Sequence, residues 1–89
     1  MSITKVGKPK IHVPGLSYWI GVNLAEARHG AKLTQEALAE KAGVTARTIQ
    51  SLEADDATNA TVKTLAALAK ALGLEVIDLF KRSDDFVNV

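Results

Sequence analysis

The 89-residue chain contains no cysteine, which excludes disulfide frameworks, thiolate zinc sites and cysteine nucleophiles and leaves core burial to supply the stability. No run approaches the roughly 20 apolar residues that span a bilayer. The N-terminus also lacks the apolar stretch and small-residue cleavage site of a secretory signal. A soluble, cytoplasmic protein with no membrane role is therefore expected. Nothing in the sequence resembles a Gly-rich phosphate loop, a nucleophile with its base, or paired carboxylates held in a cleft. Asp55 and Asp56 are only neighbours in a polar stretch, so no enzymatic activity is expected. His12 and His29 have no carboxylate or cysteine at metal-ligand spacing. Both read as surface residues, and neither a metal nor a cofactor is expected. There is no internal repeat, low-complexity tract or long run of like charge.

What the chain does have is 47% apolar residues, enough for one modest core and one domain. The formal net charge is only +1, so the distribution of charge carries more information than its sum. Lys5, Lys8 and Lys10 make the first segment basic with no opposing acid. Asp78, Asp84 and Asp85 leave the other end net acidic despite Lys81 and Arg82. The molecule is polarised end to end.

Residues 1–16 hold Gly7, Pro9, Pro14 and Gly15 around alternating Ile11 and Val13, and read as an extended basic arm with at most a short strand. Ser17 is positioned to cap a first helix, whose Trp19, Ile20, Leu24 and Ala27 recur at helical spacing as far as Gly30; Gly21 weakens it locally. Thr34 caps a second helix with Leu38, Ala39 and Ala42 on its inner face, and Gly43 stops it. After Val44, Thr45 caps a third helix marked by Ile49 and Leu52 and running to about Ala54. Asp55 to Ala60 is turn material. Thr61 caps a fourth helix with Leu65, Leu68, Ala69 and Leu72 inward, ended by Gly73. Leu74, Val76, Ile77 and Phe80 suggest a short fifth helix, and residues 83–89 form a tail. Phe80, Phe86, Val87 and Val89 serve either to close the core or as a self-association surface.

The window Gln35 to Leu52 carries the strongest signal. Leu38, Ala39, Gly43, Val44, Ile49 and Leu52 all point inward if two short helices cross at roughly 100° through a tight turn. Gly43 permits the positive φ such a turn needs, where a Cβ would cost about 1 kcal/mol. That inward set leaves Ala46, Arg47, Gln50 and Ser51 on the outer face. A major groove accepts side chains of this kind, although the solvated face of any amphipathic helix is also polar.

The stretch TQEALAEKAGVTARTIQSLE resembles the helix-turn-helix of the Cro and phage-repressor family, also called the xenobiotic response element (XRE) family. The resemblance extends over residues 17–82 through the first-helix pattern Ile20, Leu24, Ala27, Arg28 and the later TLAALAKALGLEVIDLF. It implies an all-α, five-helix, lambda-repressor-like DNA-binding domain. Residues 1–16 would form an extended arm before it and residues 83–89 a tail after it. It further implies that Ala46, Arg47, Gln50 and Ser51 face base edges, with Arg47 suited to guanine, Gln50 to adenine and Ala46 to a thymine methyl. Gln35, Thr45, Asn59, Thr61 and Lys63 would contact phosphates, helped by helix dipoles. Arg28 and Glu53 would form a partly buried structural ion pair, the loss of one partner destabilising the fold by roughly 3 kcal/mol.

Two features depart from the family pattern. Where relatives carry a short Asn-Gly-Lys turn after the third helix, this chain has Ala54, Asp55, Asp56, Ala57, Thr58 and Asn59, and carboxylates near a phosphate backbone oppose binding unless turned away or paired. The arm is also longer than the domain needs. Lys5, Lys8 and Lys10 read first as solvated charges, then as groove or phosphate contacts, and last as part of a dimer-forming strand.

The expected function is a sequence-specific transcriptional regulator, a repressor acting as a homodimer on pseudo-palindromic double-stranded DNA. The alternative is an antitoxin-type interaction module that neutralises a partner toxin and represses its own operon.

Overall fold

The computed structural model describes residues 15–57 and 60–82. They contain four α-helices, α1 (Leu16–Gly30), α2 (Gln35–Ala42), α3 (Ala46–Glu53) and α4 (Val62–Ala71), followed by a 3-10 helix, η1 (Val76–Phe80). There is no strand among the described residues, and none of their helices is long and apolar enough to cross a membrane.

Threonine starts three of the helices in the same way. Thr34, Thr45 and Thr61 have extended backbones, and each side-chain oxygen accepts from the N–H three residues on, at Ala37, Thr48 and Thr64. One of the orphan donors of each first turn is thereby satisfied. The first helix begins differently from the expectation that Ser17 caps it. Gly15 is the N-cap residue, and its carbonyl accepts from the Trp19 N–H at 3.2 Å, closing a turn before Ser17 can act as a cap. The Ser17 hydroxyl is instead buried with no hydrogen-bond partner among the described residues.

All four α-helices end at a left-handed residue: Lys32 (φ 60°), Gly43 (φ 75°), Asp55 (φ 66°) and Gly73 (φ 74°). In each case the next N–H reaches back to a carbonyl of the last turn: Leu33 to Arg28, Val44 to Ala39, Asp56 to Ser51 and Leu74 to Ala69. The reversal satisfies carbonyls that the helix end leaves bare.

The expected short fifth helix is a five-residue 3-10 helix rather than a fifth α-helix. It opens with a reciprocal bond in which the Glu75 carboxylate accepts from the Asp78 N–H and the Asp78 carboxylate from the Glu75 N–H. Asn23 of α1 donates to the carbonyls of Leu79 (2.9 Å) and Lys81 (2.6 Å). Those carbonyls are satisfied by a side chain rather than by further helix, so the element stops after inserting Leu79, which is fully buried.

Ile20, Leu24, Leu38, Ala39, Ile49, Leu52, Leu65, Leu68, Ala69 and Leu79 form one buried core to which every element contributes. α3 packs on both α1 and α2, α4 on α2 and η1, and η1 returns to α1. α3 is thereby held by its inner face with its outer face left bare.

Candidate nucleic-acid interface

Ile49 and Leu52 are buried and fix the rotation of α3 about its axis. With a helical period of 3.6 residues, that rotation presents Arg47 and Gln50 to solvent, and both are exposed. Arg47 forms no ion pair among the described residues, so its guanidinium is available for a bidentate acceptor. Ser51 is half-buried, and so is Ala46, whose methyl packs against the core. Of the four side chains expected on the outer face, Arg47 and Gln50 are the two that are exposed.

Beside α3 lies a cleft of about 120 Å³. Thr45, Arg47, Thr48 and Ser51 line it from α3 and its cap, with Asp56 and Ala60 from the segment that leads to α4. Thr45 and Thr48 are tied to each other, their hydroxyl oxygens 3.0 Å apart. The cleft therefore has a cationic wall at Arg47, an anionic one at Asp56 and hydroxyls between them. Reading outward faces from sequence does not single out Thr48, and the proximity of Asp56 to Arg47 depends on how the loop turns after Asp55.

Thr45 and Thr61 are exposed at the N-termini of α3 and α4, as is Lys63 in the first turn of α4. Helix N-termini carry partial positive charge and free N–H groups, which suits them to phosphate. Gln35 occupies the first position of α2 and is half-buried. Its amide donates to Glu53 Oε1 at 2.9 Å, which places it beside the last residue of α3. Asn59, the arm residues Lys5, Lys8 and Lys10, and the tail lie outside the described residues.

Arg28 and Glu53 pair between α1 and the last residue of α3, with Nε 2.7 Å from Oε2 and Nη2 3.0 Å from Oε1. Burial pushes the Glu53 carboxyl pKa up, but the hydrogen bonds from Arg28 and Gln35 outweigh it and hold the group below its ordinary value. The hydrogen bond to Glu53 raises the already high pKa of Arg28 against the effect of burial. No group of three or more His, Cys, Asp or Glu among the described residues could hold a metal.

No curated protein matches the sequence. Among solved structures, a hypothetical transcription factor, NHTF, from Neisseria superposes with a TM-score of 0.76 at 19% identity, over 91% of this chain and 95% of that one. At that identity the likeness is one of fold. HppE, in its iron(II) form with substrate, is similar at a TM-score of 0.66 and 26% identity over 73% of this chain, but over only 37% of its own. The cobalt(II) form with substrate gives 0.68 and 25%, over 78% of this chain and 38% of that one. The greater part of HppE thus has no counterpart here. The helix-turn-helix family model matches residues 24–79, from within α1 to η1, and the chain belongs to that family of DNA-binding regulators, of the Cro/C1 (XRE) type.

Proposed function

We propose that this chain is a sequence-specific transcriptional repressor that binds a pseudo-palindromic operator as a dimer and acts by binding rather than by catalysis. One observation carries the reading: Arg47 and Gln50 stand exposed on α3 while the opposite side of that helix is locked into the core. Arg47 offers a bidentate donor to guanine and Gln50 a matched donor and acceptor to adenine; Ser51 lies at the edge of the same surface. Gln35, Thr45, Thr61 and Lys63 would supply phosphate contacts that fix the register. Ala46 contributes a thymine contact only through the part of its methyl that the core leaves uncovered.

An exposed apolar surface supports the dimer. Ile77 and Phe80 are three apart on a 3-10 helix and so share a face. Ile77 is 64% exposed, and Phe80 borders a groove with Leu16 and Trp19. An exposed apolar face also favours the second reading, an antitoxin that masks a partner toxin. Co-purification with, and inhibition of, a small protein encoded next to this gene separates the two.

The test is fluorescence anisotropy on DNA from upstream of the gene and on scrambled DNA at two salt concentrations. A preference for the upstream DNA that survives added salt is the expected result. Equal, salt-sensitive binding to both would mean phosphate attraction alone and would remove the claim of base readout.

A further inference from the structure

α2 and α3 are joined twice. The turn Gly43 to Thr45 connects them covalently at one end, and at the other the first residue of α2 meets the last residue of α3, where Gln35 Nε2 donates to Glu53 Oε1 at 2.9 Å. The Glu53 carboxylate is itself fixed by two bonds from Arg28, and the Arg28 and Glu53 side chains are only 10% and 11% exposed. Arg28 also donates from Nη1 to the Leu33 carbonyl at 2.8 Å, immediately before the Thr34 cap of α2. The anchor that holds Gln35 is thus part of the helix framework.

An amide nitrogen carries two hydrogens. With one directed at Glu53, the plane of the Gln35 amide is set, and its nitrogen has no second hydrogen-bond partner among the described residues. Arg28 neutralises the Glu53 charge, so this anchor adds little repulsion toward a polyanion. A long side chain fixed before contact also loses less conformational freedom on binding.

We propose that Glu53 is a positioning residue for DNA binding, holding the Gln35 amide so that its second N–H donates to a backbone phosphate at the N-terminus of α2. The proposal rests on the DNA-binding reading above.

The experiment is a double-mutant cycle on the full chain. Binding is measured on a short duplex of arbitrary sequence at low salt, because a phosphate contact does not depend on sequence, and folding of each variant is checked by circular dichroism. Gln35→Met keeps the length and removes the donor; it is expected to weaken binding roughly tenfold. Its salt dependence should match wild type, since a neutral amide releases no counterion, whereas Lys63→Met lowers the slope. Glu53→Asp keeps the charge but shortens the reach to Gln35, and should weaken binding by roughly half an order of magnitude on a logarithmic scale. The double variant should bind no more weakly than Gln35→Met alone. If Glu53 serves the fold only, the two losses multiply, and the proposal is overturned. Wild-type affinity in folded Gln35→Met overturns it as well.

Should Glu53→Asp fail to fold, Arg28→Met/Glu53→Gln replaces the ion pair by neutral groups while keeping an acceptor for Gln35. Affinity near wild type in that variant supports positioning, and a loss equal to that of Gln35→Met contradicts it. A wild-type chain that binds no duplex would overturn the DNA-binding reading along with this one. Binding with multiplicative losses would remove only the role of Glu53.

Discussion

Gly21 of α1 lies so close to the Leu52 carbonyl of α3 that a Cβ on residue 21 would overlap that oxygen. The same oxygen accepts from the Asp55 N–H at 3.2 Å, so its position is also tied to the end of α3. The sequence rule treats Gly21 as a weak point in a helix, yet here it sets how near α3 can approach α1. Gly21→Ala improves helix propensity by about 1 kcal/mol but forces the helices apart. A net destabilisation of about 2 kcal/mol is expected, measured as a lower urea midpoint with an unchanged slope. A higher midpoint would show that the approach is not tight.

Asp55 adopts a left-handed conformation at the end of α3, where glycine is favoured. Asp55→Gly should therefore stabilise the fold by about 0.5 to 1 kcal/mol, read as a rise in melting temperature. Lys32→Gly at the end of α1 should behave alike. A fall in stability for both would mean that these side chains make interactions that outweigh the backbone strain.

Asp56 lines the same cleft as Arg47. Replacing it by asparagine removes a negative charge from the surface proposed to face DNA, and Asp56→Asn is expected to tighten binding several-fold at low salt, with the gain shrinking as salt rises. No change at either salt would place the carboxylate away from the phosphates in the complex.

The Arg28–Glu53 pair makes stability depend on acid. The folded-state pKa of Glu53 lies below its ordinary value of 4.5, so its contribution is present above that value and is lost as pH falls through it toward the folded-state pKa. Arg28 stays charged throughout. Thermal melts taken downward from pH 6 should show a loss of stability that is blunted in Glu53→Gln. At neutral pH, Glu53→Ala should cost about 3 kcal/mol or more because Arg28 is left charged and buried. An Arg28→Met/Glu53→Leu pair should cost less than either single change. Equal costs would mean that the pair is not energetically coupled.

Much of the fold is legible in the sequence because its signals are local. Thr34, Thr45 and Thr61 mark helix starts through bonds that span three residues, and Gly43 and Gly73 mark ends because they need a positive φ. The features that escape a sequence reading depend on tertiary contacts or on residues that break the usual preference. Lys32 and Asp55 end helices without being glycine. Ser17 has the chemistry of a cap but sits two residues too late to use it. The length of η1 is decided by Asn23, which bonds to carbonyls 56 and 58 residues away. In the candidate interface, Arg47 and Gln50 follow from the 3.6-residue period, whereas the half-burial of Ala46, the Gln35–Glu53 bond and the approach of Asp56 to Arg47 need the packed helices.

The central claim is that α3 reads bases through Arg47, and the most direct measurement selects bound duplexes from a randomised pool with wild type and with Arg47→Ala in parallel. Wild type is expected to enrich a two-fold-related motif containing a guanine in each half-site. The variant should lose the preference at that position, at a cost of about 1 to 3 kcal/mol per contact, while keeping the rest of the motif. The same motif from both proteins, or none from wild type, would contradict it.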